Sequence, residues 1–252
     1  AVRQATGENA LRFPFNQRAL LGFWKALYFD AGAFESDPAK SEQFNRGAYL
    51  VEALAHCSAC HTPRNSLGAQ QRHLAMSGGE YLDRVADGSY YPWSAPNLTS
   101  SSRGLGLWSQ QDVEDYLKTT RNDFLESYGP MNEVILNSTA HLSEGDIASI
   151  ATYLKSLTAI EEAAAVEADS QVMGRGRTVY NLHCGTCHLP TGRGDSKMAP
   201  RLNGGSLVVQ SANPASMINA ILYGPQLPNH SLSKKWREPM QEFQYLLDDE
   251  EV

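Results

Sequence analysis

Apolar residues recur at helical spacing along several segments of the chain, and each segment begins near a residue that can cap a helix. Ile147, Ile150, Ala151 and Leu154 lie at positions i, i+3, i+4 and i+7 after Ser143, which predicts an amphipathic helix. Other helices are predicted after Ser41, after Ser109, over residues 176–180, and after Asn213 up to Gly224. Strict alternation of apolar and polar residues is scarce, so the pattern predicts a mostly α fold.

The composition is typical of a soluble globular protein. Of the 252 residues, 42% are hydrophobic and 19% are charged, and the formal net charge is −7. Phosphates repel such an acidic protein, which argues against nucleic acid as a partner. The longest apolar stretch, residues 19–29, is shorter than a membrane-spanning helix requires and contains Lys25. The N-terminal residues do not resemble a signal peptide, so any export signal is expected to have been removed already.

The four cysteines form two copies of one pattern, C-x-x-C-H, at residues 57–61 and 184–188. This spacing is the attachment motif of c-type haem. Two thiols three positions apart reach the two vinyl groups of one porphyrin, and the histidine that follows becomes the proximal ligand of the iron. The sequence therefore predicts two covalently bound haem c groups, held by Cys57, Cys60, His61, Cys184, Cys187 and His188.

Other uses of paired cysteines fit this sequence less well. Zinc sites normally combine two C-x-x-C pairs about 12–20 residues apart, and these two pairs are far more widely separated. A redox-active C-x-x-C belongs to a thioredoxin-like βαβ unit, and no such strand pattern flanks either pair. Structural disulfides would not explain a histidine directly after both pairs.

The surroundings of the two motifs repeat as well, as expected for two copies of one haem-binding module. A helical segment precedes each motif, and an Ala-Pro dipeptide containing Pro96 or Pro200 follows it, before a capped helix. The helix before the first motif is expected to bury Phe44, Tyr49, Leu50, Ala53 and Leu54. The predicted domains are an N-terminal segment (1–40), a first haem domain (41–160), an acidic linker (161–172) and a second haem domain (173–252).

Each iron needs a second axial ligand if it is to transfer electrons rather than bind O₂ or peroxide. Met131 and Met240 are the candidates, because each follows a proline and lies well after its motif in a predicted loop before an apparent helix start. The four predicted iron ligands are therefore His61 and Met131 for the first haem and His188 and Met240 for the second. His141 and His230 are the alternatives.

Several other residues allow two interpretations. Trp108 and Arg64 could donate hydrogen bonds to haem propionates, or Trp108 could simply pack while Arg64 is solvated. His56 and His183 precede the first cysteine of each motif and are interpreted as partly exposed helix residues. Residues 234–237, Lys-Lys-Trp-Arg, could dock an acidic partner or form a solvated loop.

Over nearly its whole length the chain resembles the multihaem cytochrome c subunits of bacterial membrane-associated dehydrogenases. The resemblance rests on residues 11–18, 45–52, 57–64, 95–99, 104–109 and 129–131. It implies two tandem class I cytochrome c domains with an N-terminal extension, Met131 and Met240 as axial ligands, and Pro96 and Pro200 beside the proximal histidines. The family usually has three haem modules, and residues 11–18 correspond to the segment that joins the first module to the second. We therefore expect this chain to represent modules two and three of a longer subunit, ending at Val252 where a final helix should begin.

The resemblance also implies a function and a location. The chain is expected to be a non-catalytic electron-transfer subunit in the periplasm, at the outer face of the cytoplasmic membrane. Its partner would be a PQQ, flavin or molybdenum dehydrogenase, and its acceptor a quinone or another cytochrome. The alternatives are a dihaem peroxidase and a free-standing two-domain shuttle. The aromatic segment 20–29 argues against a free shuttle, since so much apolar surface usually needs a neighbour, unless this helix packs on the chain's own core.

Overall fold

The computed structural model describes residues 11–14, 16–84, 88, 90–162, 168–195, 198–225 and 240–252. The chain divides into two compact units, Ala1–Glu35 and Ser36–Val252. Helices account for 44% of the described residues and extended residues for 8%, which confirms the prediction of a mostly α fold. Among the described residues, no helix is both long enough and apolar enough to cross a bilayer.

The smaller unit contains helix α1 (Leu20–Tyr28). None of its residues is buried. Its exposed side chains include Phe23, which is 75% exposed, and Leu27, which is 70% exposed. Within the helix, the rings of Trp24 and Tyr28 lie 5.4 Å apart.

The larger unit is built mainly from helices. They are α2 (Glu42–Ala48), α3 (Ser58–His61), α4 (Gln110–Thr119), α5 (Pro130–Asn137), α6 (Glu144–Ser156), α7 (Ser170–Val179), α8 (Gly185–His188) and α9 (Ala215–Tyr223). Two π-helical turns, Tyr49–Leu54 and Tyr180–Cys184, continue α2 and α7, and 3₁₀ turns occur at Arg72–Leu74, Leu105–Leu107 and Thr139–His141. Strands β1 (Gly79–Arg84) and β2 (Tyr90–Ala95) form an antiparallel pair in which Tyr81 lies opposite Trp93.

Most of the predicted helix starts are confirmed. The hydroxyls of Ser41 and Ser143 accept hydrogen bonds from backbone N–H groups of the first turns of α2 and α6. Ser109 forms a complete capping box with Asp112 at the start of α4. The predicted cap at Asn213 is displaced by one residue, because α9 begins at Ala215 with Pro214 in the N-cap position; the N–H of Ala215 still donates to the Asn213 side chain at 3.0 Å.

The core around the first motif is the crossing of α2 and α6. Gly47 makes it possible, because a Cβ at this position would lie 2.0 Å from the carbonyl oxygen of Ser149. The ring of Phe44 meets that of Tyr153 edge to face at 5.3 Å. Arg46 forms an ion pair with Asp146 at 2.7 Å. The four apolar residues predicted for α6, Ile147, Ile150, Ala151 and Leu154, are all buried.

The predicted buried face of the preceding helix is partly wrong. Leu50 is buried as expected, but Leu54 is 56% exposed and Ala53 is also exposed. The cause is the π-helical turn, in which the N–H of Ala55 bonds to the carbonyl of Leu50 and the helix gains a residue per turn. This turn brings Val51 into the core and turns the later apolar residues outward.

Two further features differ from the sequence-based expectation. The hairpin of β1 and β2 was not predicted, because β1 is mostly exposed and neither strand has a clear apolar alternation in sequence. Helix α7 begins at Ser170, inside the predicted linker 161–172, of which residues 163–167 lie outside the described residues. Both motifs belong to one compact unit, so the division at residues 160 and 173 stays a prediction.

Candidate functional site

The two C-x-x-C-H motifs have the same local structure. Each follows a π-helical turn and ends in a four-residue helix, α3 in the first motif and α8 in the second. His61 is the last residue of α3, and His188 is the last residue of α8. The chain leaves each helix abruptly, through an extended Thr62 in one case and through Leu189 with a φ of 61° in the other. The sequence repeat is therefore also a structural repeat.

Both motif histidines are oriented by a proline carbonyl. His61 Nδ1 lies 2.8 Å from the carbonyl oxygen of Pro96, and His188 Nδ1 lies 2.9 Å from that of Pro200. Because a carbonyl can only accept, Nδ1 carries the proton and Nε2 keeps its lone pair for a metal. Burial lowers the pKa of both imidazoles, so they are neutral at pH 7, as a ligand must be. The expectation that both prolines lie beside these histidines is confirmed.

Three of the motif thiols have raised pKa values. Burial raises the pKa of Cys57 to about 11 and also raises the pKa of Cys60 and of Cys184. Redox-active C-x-x-C motifs do the opposite and lower the pKa of the attacking thiol. The redox-motif alternative is therefore not favoured. Across the described ranges, no three His, Cys, Asp or Glu side chains form a cluster that could bind a metal ion directly.

Met131 lies in the first turn of α5, and not in a loop as predicted. Pro130 occupies the first position of this helix, where its missing N–H costs nothing. The preceding Gly129 has a φ of 58°, and a Cβ there would lie 2.6 Å from the ring of Trp93. The Met131 side chain is half-buried. Its role as an axial ligand stays a prediction.

Met240 begins a short segment that packs beside the second motif. Phe243 in this segment is buried, and its N–H donates to the carbonyl of Ile221 in α9 at 3.0 Å. The ring of Phe243 also meets that of His183 edge to face at 6.0 Å. The helix start predicted over residues 246–251 is not observed; this segment forms turns, in which the Asp248 side chain accepts hydrogen bonds from the N–H groups of Glu250 and Glu251. Ligation by Met240 stays a prediction too.

Comparison with known proteins gives the same assignment over a long alignment. The fructose dehydrogenase cytochrome subunit of Gluconobacter japonicus is 36% identical over 240 residues, which are 85% of this chain and 47% of that protein. The gluconate 2-dehydrogenase cytochrome c subunit of Pantoea cypripedii is 36% identical over 246 residues, which are 90% of this chain and 54% of that protein. This chain is homologous to cytochrome c subunits of dehydrogenases. The predicted resemblance is confirmed.

A third relative is a cytochrome c that is not named as a dehydrogenase subunit. The "diheme cytochrome c-type" protein of Cereibacter sphaeroides is 37% identical over 155 residues, which are 60% of this chain and 47% of that protein. The chain thus spans about half the length of the relatives it matches. No protein-family model matches it.

The residues present fit the haem that a cytochrome c homologue requires. Large apolar side chains are exposed shortly before each motif, with Leu54 at 56% and Leu182 at 70% exposure, as surface for a porphyrin to cover. Near the first motif's candidate methionine, the indole Nε1 of Trp93 is buried and has no hydrogen-bond partner in the described part of the chain. A buried donor of this kind is costly unless it has an acceptor, and a haem carboxylate is one.

The structure shows hydrogen-bond partners for both Trp108 and Arg64. Trp108 is buried and donates from Nε1 to the carbonyl of Gly205 at 2.7 Å, so it packs and its donor is not free for a propionate. Arg64 is exposed, but its guanidinium donates to the carbonyls of Gly68 and Ala59 at 2.7 and 3.2 Å. It holds the loop after the first motif and is not merely solvated.

The histidine alternatives gain little from the structure. His141 is exposed, and its Nε2 already bonds to the carbonyl of Leu136 at 2.8 Å. His56 and His183 are both exposed; His183 lies in the π-helical turn as interpreted, whereas His56 lies outside the helices with a φ of 54°. His230 and the candidate docking patch 234–237 lie outside the described residues.

Sequence reasoning missed three residues around the first site, namely Trp93, Tyr128 and Gly129. The ring of Trp93 lies 5.9 Å from that of Tyr128 and covers Gly129. The one available signal was the Tyr-Gly-Pro-Met order, in which a glycine next to an aromatic residue often marks a close approach. The partner across this approach could not be identified from the sequence.

Proposed function

We propose that this chain is an electron-transfer subunit with two covalently bound haem c groups, which passes electrons from a dehydrogenase partner to a quinone or another respiratory acceptor. The observation that carries the proposal is the duplicated C-x-x-C-H unit with each histidine oriented through Nδ1 by a proline carbonyl. The homology to dehydrogenase cytochrome subunits supports the same role.

A bound haem c supplies a one-electron redox centre at its iron. The chain's own residues hold, orient and shield that group. The cysteine pairs anchor it, because thioether bonds prevent its loss. The bonds to Pro96 and Pro200 fix the ring orientation of His61 and His188 and increase the basicity of Nε2. Neutral, desolvated imidazoles are thereby ready to ligate iron without losing a proton first.

The sulfurs of Met131 and Met240 complete the proposed ligand sets. A thioether on the distal side keeps O₂ and peroxide away from the metal and favours the reduced state. This is the reason for preferring electron transfer over a dihaem peroxidase, which needs one coordination position to be open. The chain itself then performs no bond chemistry, and the substrate is oxidised on the partner.

The partner, the acceptor and the location are also proposals. The relatives are described as subunits of fructose and gluconate dehydrogenases, so we propose a dehydrogenase of the PQQ, flavin or molybdenum type as the electron donor. The exposed apolar face of α1 is consistent with a protein that works in a complex. We propose a periplasmic location, at the outer face of the cytoplasmic membrane.

Counting the haem groups tests the proposal. The full chain is produced together with a cytochrome c maturation system, and its haem content is measured by the pyridine haemochrome method and by intact mass. We expect two haems per chain that acid–acetone does not extract. The double variants C57A/C60A and C184A/C187A should each lose one haem. Thr186→Ala changes a non-attaching position inside the second motif and should keep both.

Two results would contradict the proposal. Extraction of the colour by acid–acetone would show that the haem is not covalently bound. A high-spin spectrum with turnover of peroxide would favour the peroxidase instead. The donor is tested by co-purification of the full chain with a dehydrogenase catalytic subunit and by reduction of the haems when that subunit receives its substrate.

A further inference from the structure

The segment that carries the first candidate methionine is held with little freedom. Tyr128, Gly129, Pro130 and Met131 follow one another directly. The ring of Trp93 leaves no room for a side chain on Gly129, and the proline fixes its own φ at the start of α5. A displacement of Tyr128 is therefore transmitted to Met131 through Gly129 and Pro130, the two intervening residues, which have little freedom to absorb it.

Tyr128 is bound to the other half of the sequence. Its hydroxyl donates to the carbonyl oxygen of Ser216 at 2.9 Å, and Ser216 lies in α9, which follows the second motif. Burial raises the pKa of Tyr128, so its hydroxyl is protonated and donates. Tyr128 thus joins the candidate ligand of the first haem to a helix of the second half.

Helix α9 is itself fixed against strand β2. The N–H of Ser94 donates to the Ser216 hydroxyl at 2.9 Å, and the N–H of Ser216 donates to the Ser94 hydroxyl at 3.2 Å. Asn219, one turn later, donates to the carbonyl of Pro92 at 2.7 Å. All three polar side chains are buried. This β2–α9 seam, formed by Ser94, Ser216, Asn219 and Pro92, is a specific and well-satisfied contact.

We propose that Tyr128 is a positioning residue for the Met131 ligand of the first haem, and that it holds the sulfur in place by bonding to α9 across the β2–α9 seam. The inference rests on the proposed function, because it requires haem in the first motif. Its consequence is that the second half of the chain stabilises the sulfur–iron bond of the first half. Loosening the seam should make that bond easier to displace.

The test measures how easily imidazole displaces the sulfur ligand. The readout is the far-red absorption band of oxidised methionine-ligated haem, in full-length holoprotein. In a Met240→Ala background the remaining band belongs to the first haem. Adding Tyr128→Phe should lower the imidazole concentration for half-displacement by about fivefold, the effect of one ordinary hydrogen bond on an equilibrium. In a Met131→Ala background, the same substitution should leave the band of the second haem unchanged.

Tyr180→Phe is the matched control. Tyr180 also donates its hydroxyl to a backbone carbonyl, that of Leu189 at 2.8 Å, but this bond lies entirely in the second half. In the Met240→Ala background it should not change the imidazole titration. Asn219→Ala loosens the seam without touching Tyr128, and it should act in the same direction as Tyr128→Phe. It decides the question if the tyrosine variant does not fold.

The inference is overturned if the Tyr128→Phe and Asn219→Ala proteins, folded and with an intact sulfur band, titrate like their parent. It is also overturned if Tyr180→Phe has an equal effect on the first haem. Failure of the proposed function would give a different result. The parent protein itself, before any of these substitutions, would then lack two covalent haems or would show no sulfur band.

Discussion

Gly47→Ala tests whether the crossing of α2 and α6 is as tight as the structure shows. The added Cβ would lie 2.0 Å from the carbonyl oxygen of Ser149, 2.7 Å from its carbonyl carbon and 2.8 Å from the Cβ of Tyr153. Each of these atoms is part of a helix backbone or attached directly to it. No flexible side-chain end can move aside, so the helices themselves must separate.

The size of the effect follows from these distances. Non-bonded atoms prefer separations of about 3.5 Å, so a contact of 2.0 Å requires α2 and α6 to move apart by roughly 1.5 Å. That movement loosens the contacts of Leu50, Ile150 and Leu154, which are buried in and around the crossing. Overpacking in a core typically lowers the free energy of unfolding by about 1–3 kcal/mol. Because this clash involves backbone atoms, we expect Gly47→Ala to lower it by about 3 kcal/mol. This is a large share of the stability of a typical domain.

The measurement is urea unfolding of the haem-loaded full chain, with the free energy of unfolding as the result. Gly174→Ala is the control, because Gly174 lies in α7 and a Cβ there meets nothing within 4 Å. It should stabilise the protein by about 0.5–1 kcal/mol, since alanine favours a helix more than glycine does. If Gly47→Ala unfolds at the same urea concentration as the parent, the close helix crossing is wrong.

Two further predictions concern buried polar groups. Trp108→Phe keeps a ring that can stack on Phe124 but leaves the carbonyl of Gly205 without its donor, so it should cost about 1–3 kcal/mol in the same urea assay. Burial raises the pKa of Glu126 to about 7 against the opposing effect of Arg121. Between pH 4.5 and about 7, the Glu126 carboxyl is therefore protonated in the folded protein and ionised in the unfolded chain. The stability that this proton contributes is complete below pH 4.5 and is lost as the pH rises through about 7. Glu126→Gln should flatten this part of the profile, measured as the free energy of unfolding at a series of pH values.

The two predictions fail in different ways. An unchanged free energy for Trp108→Phe would mean that another group satisfies the Gly205 carbonyl or that the indole bond contributes nothing. If the Glu126→Gln protein keeps the same decline between pH 4.5 and pH 7, another group causes it. A rise in parental stability over this interval would show that the pairing with Arg121 outweighs burial.

Local signals in the sequence predicted local structure well. The serines that cap α2, α4 and α6 act within four residues, and the apolar stripe of α6 has the period of a helix, so both could be read without knowing the fold. The C-x-x-C-H motif alone predicted a local helical turn and the histidine that is the candidate proximal ligand. The family resemblance predicted that Pro96 lies beside the first proximal histidine, and His61 does bond to the Pro96 carbonyl.

Features that depend on distant contacts could not be predicted in this way. The outward turn of Leu54 results from a π-helical turn, which no residue type marks. The Tyr-Gly-Pro-Met order predicted a loop, but Pro130 at the first helical position starts α5 instead. The role of Tyr128 depends on Ser216, a residue of the other half that is brought near by the packing of α9 on β2.

The β2–α9 seam has a practical consequence for dissecting this protein. Cutting the chain between the two motifs would separate Ser94 from Ser216 and Asn219 from the carbonyl of Pro92, which are now their buried hydrogen-bond partners. It would also leave the indole of Trp108 without the Gly205 carbonyl. Single-haem fragments would therefore not reproduce the structure of the intact chain. The properties of one haem centre are better isolated by point substitution than by truncation.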